Sequence, residues 1–135
     1  MAFHLDIVTP EQKTFSDDVD SVVVPGIDGE FGVLTNHAAL VTILKPGELR
    51  YTKGSETVEL AVGEGLVEVL GDKVSVLTDL AVSDHEIDEE RVQEALDRAK
   101  RSLEELSGDE EIAAVQAMIQ KSMAQLHLKR KRRRI

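Results

Sequence analysis

The feature that most constrains the fold of this chain is a change of hydrophobic period near Ser83. Before this point apolar and polar residues alternate in short runs, as in Phe3-His-Leu-Asp-Ile7. Such a period of two is typical of half-buried β-strands. After this point apolar residues recur every three or four positions, which is the spacing of amphipathic helices. The sequence therefore predicts a β-unit followed by a helical unit.

The first unit, residues 1–83, is predicted to contain about ten short strands. Phe15 is placed in a short link rather than in a strand. Turns every 8–12 residues or so favour an antiparallel β-sandwich or small barrel over a parallel sheet. The turns are marked by Pro25-Gly26, Lys45-Pro-Gly47, Lys53-Gly-Ser55 and Gly71-Asp-Lys73.

The second unit, residues 84–128, is predicted to be an antiparallel hairpin of two helices of similar length. Ser83-Asp-His-Glu86 has the form of a capping box, and acidic residues from Asp88 onward suit the first turn of a helix. Ser107-Gly108 interrupts the pattern in a link of two or three residues, with glycine in its usual place after a helix end. The apolar stripes are Val92, Ala95, Leu96, Ala99, Leu103 and Leu106, then Ile112, Val115, Ile119, Met123 and Leu126.

The charge divides the chain into an acidic body and a basic tail, residues 129–135. The chain has 16 basic and 26 acidic residues and a net charge of −10. Lys129 to Arg134 supply six of the basic residues, so the remainder has 10 basic and 26 acidic residues and a net charge of −16. An acidic body argues against nucleic acid as the main ligand. The like-charged tail is expected to be disordered or extended in isolation.

Several chemistries have no support in the sequence. The absence of cysteine excludes a disulfide scaffold, thiolate zinc sites and thiol catalysis, and fits a reducing compartment. We find no apolar run near the ~20 residues of a membrane span and no signal peptide, so we expect a soluble intracellular protein. The four histidines, His4, His37, His85 and His127, lack metal-ligand spacing, and no phosphate loop or nucleophile motif is present. We expect neither enzymatic activity nor a metal site.

A glycine-rich segment carries a family resemblance. Gly29-Glu-Phe-Gly-Val-Leu34, followed by His37 and Leu40, resembles a segment of the epsilon subunit of rotary F-type ATP synthases. Thr35-Asn36 replaces the Pro-Gly common in that family, and Asn tolerates the left-handed backbone of such a turn. The likeness extends over essentially the whole chain through Val8-Thr-Pro10, Leu44-Lys-Pro-Gly47, and Gly65-Leu-Val-Glu-Val69 ahead of Val74-Ser-Val-Leu77.

The resemblance implies a non-catalytic subunit at the foot of the central stalk, peripheral on the cytoplasmic face of the bacterial inner (plasma) membrane. Its sandwich would join the gamma shaft to the membrane rotor ring for proton- or sodium-driven ATP synthesis, with no required cofactor. Glu30 and His37 would face the ring, although His37 by default only shapes its own loop. The helices would inhibit ATP hydrolysis by opening at a hinge at Ser107 and Gly108.

Ile87-Asp-Glu-Glu-Arg91 has two interpretations. Asp88 and Arg91 are three residues apart and can form an ordinary ion pair in the first helical turn. By resemblance, they match part of a motif with which some epsilon subunits bind a regulatory ATP. Here Val92 replaces the closing alanine, and the second helix offers only Lys121 before the tail, with Arg98 and Arg101 of the first helix able to compensate.

The basic tail alone could be a nuclear localisation signal, a nucleic-acid arm or a solubilising end. By resemblance, Lys129, Arg130, Lys131, Arg132, Arg133 and Arg134 would contact acidic segments of the catalytic alpha/beta head. Two alternatives from other classes remain open at this point: an unrelated β-sandwich adaptor, and a nucleic-acid binder that works through this tail.

Overall fold

The computed structural model describes residues 2–34 and 38–133. Residues 2–34 and 38–83 contain ten β-strands: β1 (Phe3–Val8), β2 (Lys13–Val19), β3 (Ser21–Gly26), β4 (Gly29–Val33), β5 (Leu40–Leu44), β6 (Gly47–Lys53), β7 (Glu56–Val62), β8 (Gly65–Leu70), β9 (Lys73–Thr78) and β10 (Ala81–Val82). Hydrogen bonds link them in the order β10-β7-β6-β3-β5-β8-β9-β1-β2, and β4 pairs with β3.

The strands form the predicted sandwich, with one departure from antiparallel pairing. β1 lies parallel to β9, in register from His4 opposite Lys73 to Val8 opposite Leu77. The other paired strands run antiparallel, including the tight β6–β7 and β8–β9 hairpins. Strand β3 changes neighbours along its length, pairing with β6 near Val22 and with β5 at Gly26.

The sandwich has its own hydrophobic core. The core is built from alternate residues of the strands, and all of its buried members lie between Phe3 and Ala81. Leu5, Ile7, Val22, Leu49, Val67 and Val76 are fully buried. No buried member of this core therefore comes from the described part of the C-terminal helices.

Strand β2 corrects the prediction that Phe15 lies in a link. Residues 13–19 pair with β1 along their length, with Phe15 opposite Ile7. β2 is the last strand in the sheet order, and most of its side chains are exposed or half-buried. Because no continuous apolar run marks such an edge strand, its sequence resembles a loop.

The helical unit consists of a 3-10 turn at Asp84–Glu86, α1 (Glu89–Leu103) and α2 (Asp109–Arg133). Ser83 and Glu86 do interact: the Glu86 carboxylate accepts from the Ser83 amide at 3.0 Å and from its hydroxyl at 2.7 Å. These two bonds, the backbone bond first, lower the pKa of Glu86. The box therefore closes the short turn, while Asp88 caps α1.

Three predicted features of the hairpin are wrong. The helices are unequal, with 15 and 25 residues, because α2 continues into the basic tail. The link spans residues 104–108 rather than two or three residues. Gly108 does not terminate α1, whose C-cap is Glu104; instead it lies directly before α2, and its carbonyl accepts from the Ile112 amide at 2.9 Å.

Within residues 2–34 and 38–133, no helix is long and apolar enough to cross a membrane.

Candidate functional sites

The β3–β4 hairpin presents Glu30, one of the two predicted rotor-ring contacts. The turn is tight: Gly29 has a φ of +124°, and a Cβ on Gly26 would lie 2.9 Å from the Phe31 ring. Glu30 is 54% exposed, and its carboxylate accepts from both terminal nitrogens of Arg50, at 3.3 and 3.4 Å. The other predicted contact, His37, lies outside the described residues together with Thr35 and Asn36.

An exposed apolar row crosses the neighbouring strands and was missed by sequence reasoning. Ile43 of β5 lies opposite Leu66 of β8, which lies opposite Leu77 of β9. These side chains are 52%, 47% and 49% exposed. We call Ile43, Leu66 and Leu77 the apolar row. Outward-facing positions of an antiparallel sheet are usually polar, so the row is a candidate surface for contact with another molecule.

Ile43 and Leu66 of the apolar row line a cleft between the sandwich and α2. The cleft has a volume of about 610 Å³, and Glu64, Asp79 and Gln120 are among its other lining residues. Lys121, the residue after Gln120, donates to Asp79 at 3.2 Å. A partner seated on the apolar row would therefore also lie close to the folded hairpin.

Asp88 acts as the N-cap of α1. Its carboxylate accepts from the backbone amide of Arg91 at 3.2 Å, which is a capping bond rather than the predicted side-chain ion pair. Lys121 is directed to Asp79 of the sandwich. Arg98 and Arg101 lie with Glu94 and Asp97 around a shallow depression of about 300 Å³. ATP binding at Asp88 and Arg91 would therefore require several of these groups to exchange partners.

The basic tail is helical as far as Arg133, and three of its cations have partners in this chain. Lys129 donates to the Asp84 carbonyl at 2.9 Å, and Arg130 to Glu89 at 2.9 Å. Lys131 donates to Glu48 at 2.7 Å and also to Glu59. These acceptors offset the repulsion of like charges, which explains why the segment is neither disordered nor extended here. Arg134 lies outside the described residues.

A cluster around His4 was also missed by sequence reasoning. Its Nδ1 lies 3.1 Å from Asp18, and its Nε2 lies 3.1 Å from Asp6 and 3.0 Å from the Ser16 hydroxyl. A neutral imidazole has one N–H and can donate to only one carboxylate, whereas the cation can donate to both. The bond to Asp18, followed by the bond and charge of Asp6, accordingly raises the pKa of His4.

The geometry argues against nucleophilic chemistry at Ser16. Ser16, His4 and Asp18 follow the order of a hydrolase triad, but the His4 nitrogen that faces the Ser16 hydroxyl, Nε2, also lies 3.1 Å from the Asp6 carboxylate, which competes for it. Asp6 is buried. A hydrogen bond from the Ser16 hydroxyl lowers the pKa of the Asp6 carboxyl; burial opposes this shift, and the charge of Lys13 adds to it. The cluster is therefore an ionic contact between β1 and β2.

Comparisons with known proteins assign both units of the chain to domains of one protein family. Residues 2–84 match the family model described as ATP synthase, Delta/Epsilon chain, beta-sandwich domain, and residues 85–130 match the long alpha-helix domain of the same chain.

Curated relatives match over nearly their whole length. The ATP synthase epsilon chain 2 of Syntrophotalea carbinolica is 42% identical over 92% of this chain and 91% of its own. The ATP synthase epsilon chain of Syntrophobacter fumaroxidans is 43% identical over 94% of this chain and 95% of its own.

The fold recurs in solved structures. A chain of the mitochondrial ATP synthase of Euglena gracilis superposes with a TM-score of 0.76 at 22% identity, over 91% of this chain and 78% of that one. A chain of the Tetrahymena thermophila mitochondrial ATP synthase central stalk and c-ring superposes with a TM-score of 0.62 at 13% identity, over 96% of this chain and 94% of that one.

Proposed function

Because this chain belongs to the delta/epsilon chain family of ATP synthase, we propose that it couples the gamma shaft to the membrane rotor ring. It is a non-catalytic subunit of the membrane-associated complex. In this role it transmits torque during proton- or sodium-driven ATP synthesis and lies peripherally, on the cytoplasmic face of the bacterial inner membrane. The family match removes the alternative of an unrelated adaptor.

The apolar row is the observation that carries this proposal. Ile43, Leu66 and Leu77 form a continuous exposed strip across β5, β8 and β9, three strands that are already hydrogen-bonded to one another through β8. Burying such a strip against a partner is favourable by roughly 25 cal/mol for each Å² of apolar surface. We assign this strip to gamma, since exposed apolar side chains on fully paired strands offer a rigid surface for a lasting contact.

The β3–β4 hairpin and the loop after β4 are assigned to the rotor ring. Glu30 is exposed on this hairpin, and Arg50 holds its carboxylate from one side. Leu34, next to the undescribed residues that include His37, is 65% exposed. Strand β4 thus carries an exposed polar side chain beside its turn and is followed by an exposed apolar side chain at its other end.

The helices are assigned a regulatory role, in which the hairpin opens and inhibits ATP hydrolysis by the alpha/beta head. Ser107 and Gly108 form the proposed hinge, because they lie in the five-residue link and a Cβ on Gly108 would meet only the flexible Glu111 side chain. After opening, the tail cations Lys129, Arg130, Lys131, Arg132, Arg133 and Arg134 would contact acidic segments of the head. The acidic body and the family match favour the head over the nucleic-acid alternative.

Regulatory ATP at Asp88 and Arg91 is a secondary proposal. What supports it is the placement of Arg91 and Arg98 two helical turns apart, and therefore on one face of α1. Against it stand the capping role of Asp88 and the pairing of Lys121 with Asp79.

The gamma contact is tested by replacing one member of the apolar row. Leu66→Ser should weaken binding of the chain to purified gamma about tenfold, because an apolar anchor is lost from a surface whose fold does not depend on it. Met118→Ser is the matched control, since Met118 is similarly exposed (51%) but lies on α2. Equal affinity of the two variants, measured by titration calorimetry, would place gamma elsewhere on the molecule.

A further inference from the structure

The turn of α2 at residues 128–131 contacts three different elements. We call residues 128–131 the latch turn. Successive residues of a helix point about 100° apart, so four in a row cover its whole circumference. Leu128, Lys129, Arg130 and Lys131 reach the sandwich, the 3-10 turn and α1, which means that this helix end is held on several sides.

The apolar part of the contact is small and completely buried. Leu128 is 0% exposed and packs with Ala61 of β7, also 0% exposed, and Ile87, which follows the 3-10 turn. Val82 and Val92 pack against this group. The cluster is separate from the main core of the sandwich, so it can open without disturbing that core.

The polar part surrounds this apolar contact. Lys129 Nζ donates to the Asp84 carbonyl at 2.9 Å. Arg130 Nε donates to Glu89 at 2.9 Å, and its terminal nitrogen donates to the Gln93 side-chain oxygen at 2.8 Å. The latch turn is thereby joined to the start of α1 as well as to the sandwich.

Lys131 makes the contact with the sandwich itself. Its ammonium lies 2.7 Å from Glu48 of β6 and also contacts Glu59 of β7, and these carboxylates are only 18% and 17% exposed. Burial lowers the pKa of Lys131, but the two hydrogen bonds outweigh this effect and raise the pKa above its ordinary value. His127 adds a contact with Glu48 at 3.3 Å. Partly buried pairs of this kind are screened by salt less than exposed ones.

We propose that the latch turn is an ionic latch that holds the hairpin on the sandwich and, while closed, withholds its cations from an acidic partner. Opening of the hairpin would carry Lys131 away from β6 and β7 and break its bonds to Glu48 and Glu59, so the closed state and the partner-bound state compete. The inference rests on the proposed function in one respect, since the partner is taken to be the catalytic head. Release of the latch is then the step that commits the hairpin to opening.

The test changes the acidic side of the latch, so that the tail keeps every cation. In the isolated full chain, the double variant Glu48→Gln, Glu59→Gln should speed amide hydrogen exchange of residues 120–131 by about tenfold. Exchange in the sandwich core strands β8 and β9 should not change. Glu56→Gln, which removes an exposed carboxylate from the same strand as Glu59, is the control and should leave residues 120–131 unchanged.

Unchanged exchange of residues 120–131 in the double variant would overturn the latch. If the sandwich of that variant also exchanges faster, the variant Lys131→Gln, which changes the helix instead, is measured. Faster exchange confined to α2 supports the latch, and unchanged exchange overturns it. In the head assay, the double variant should inhibit hydrolysis at a lower concentration than the unaltered chain. Accelerated exchange without any inhibition would keep the latch and refute the contact with the head.

Discussion

The surface of the sandwich shows how single side chains acquire properties that no sequence pattern reveals. His4 and Asp6 both point outward from β1, and Ser16 and Asp18 point outward from the paired positions of β2. Cross-strand pairing brings an imidazole between two carboxylates, which favours its charged form. The alternation of β1 was visible in the sequence. The partner strand β2 was not, so the cluster could not be predicted.

The protonation of His4 can be measured directly. Because its pKa in the folded protein is raised above 6.5, the stability it contributes is fully present below pH 6.5 and is lost as the pH rises through the folded-state pKa. An NMR titration of the His4 ring protons should give a midpoint above 6.5. Asp18→Asn should lower that midpoint, whereas Asp28→Asn in the β3–β4 turn should not. A midpoint at or below 6.5 in the unaltered chain would contradict the cluster geometry.

At the scale of elements, the stability of helix α1 tests whether Asp88 acts as its N-cap or as an ATP ligand. Asp88→Ala removes the cap and should cost about 1 kcal/mol of stability, whereas Asp88→Asn retains a capping oxygen and should cost only a few tenths. Urea denaturation of the full chain provides these values. A role in ATP binding predicts a different result: in an NMR titration with Mg-ATP, Asp88→Asn should reduce the chemical-shift changes as much as Asp88→Ala does. Absence of any such shift in the unaltered chain at millimolar Mg-ATP would end the ATP proposal.

The elements also mark the limit of prediction from local sequence. The alternation in β1 and the stripes of both helices are decided by neighbours in the chain, and these elements were predicted. The helical tail is stabilised by Glu48 and Glu59, 83 and 72 residues earlier in the chain, and nothing near Lys131 in the sequence indicates them. The apolar row was missed for a related reason. The run Leu66-Val-Glu-Val-Leu70 predicts a strand, but it does not say which of its apolar side chains face outward.

For the whole molecule, the separation of an acidic body from a basic tail provides ion pairs that hold the hairpin on the sandwich. The body has an excess of carboxylates, and some of them face the basic end of α2 in the folded state. If acidic and basic residues were spread evenly over the surface, no such set of ion pairs would hold the hairpin on the sandwich, and apolar packing would have to do so. Here an acidic surface competes for the same cations that an acidic partner would bind, so the balance between folded and extended states can be shifted by modest differences in affinity.

The assay that tests the central claim most directly is ATP hydrolysis by a catalytic head depleted of this subunit. The full chain is added back, or a version that ends at Ser83, which retains every buried core residue of the sandwich. We predict that both bind the head–gamma complex and that only the full chain inhibits hydrolysis. Binding of the full chain without inhibition would contradict the regulatory role of the helices, and failure of both to bind would contradict the coupling role of the sandwich.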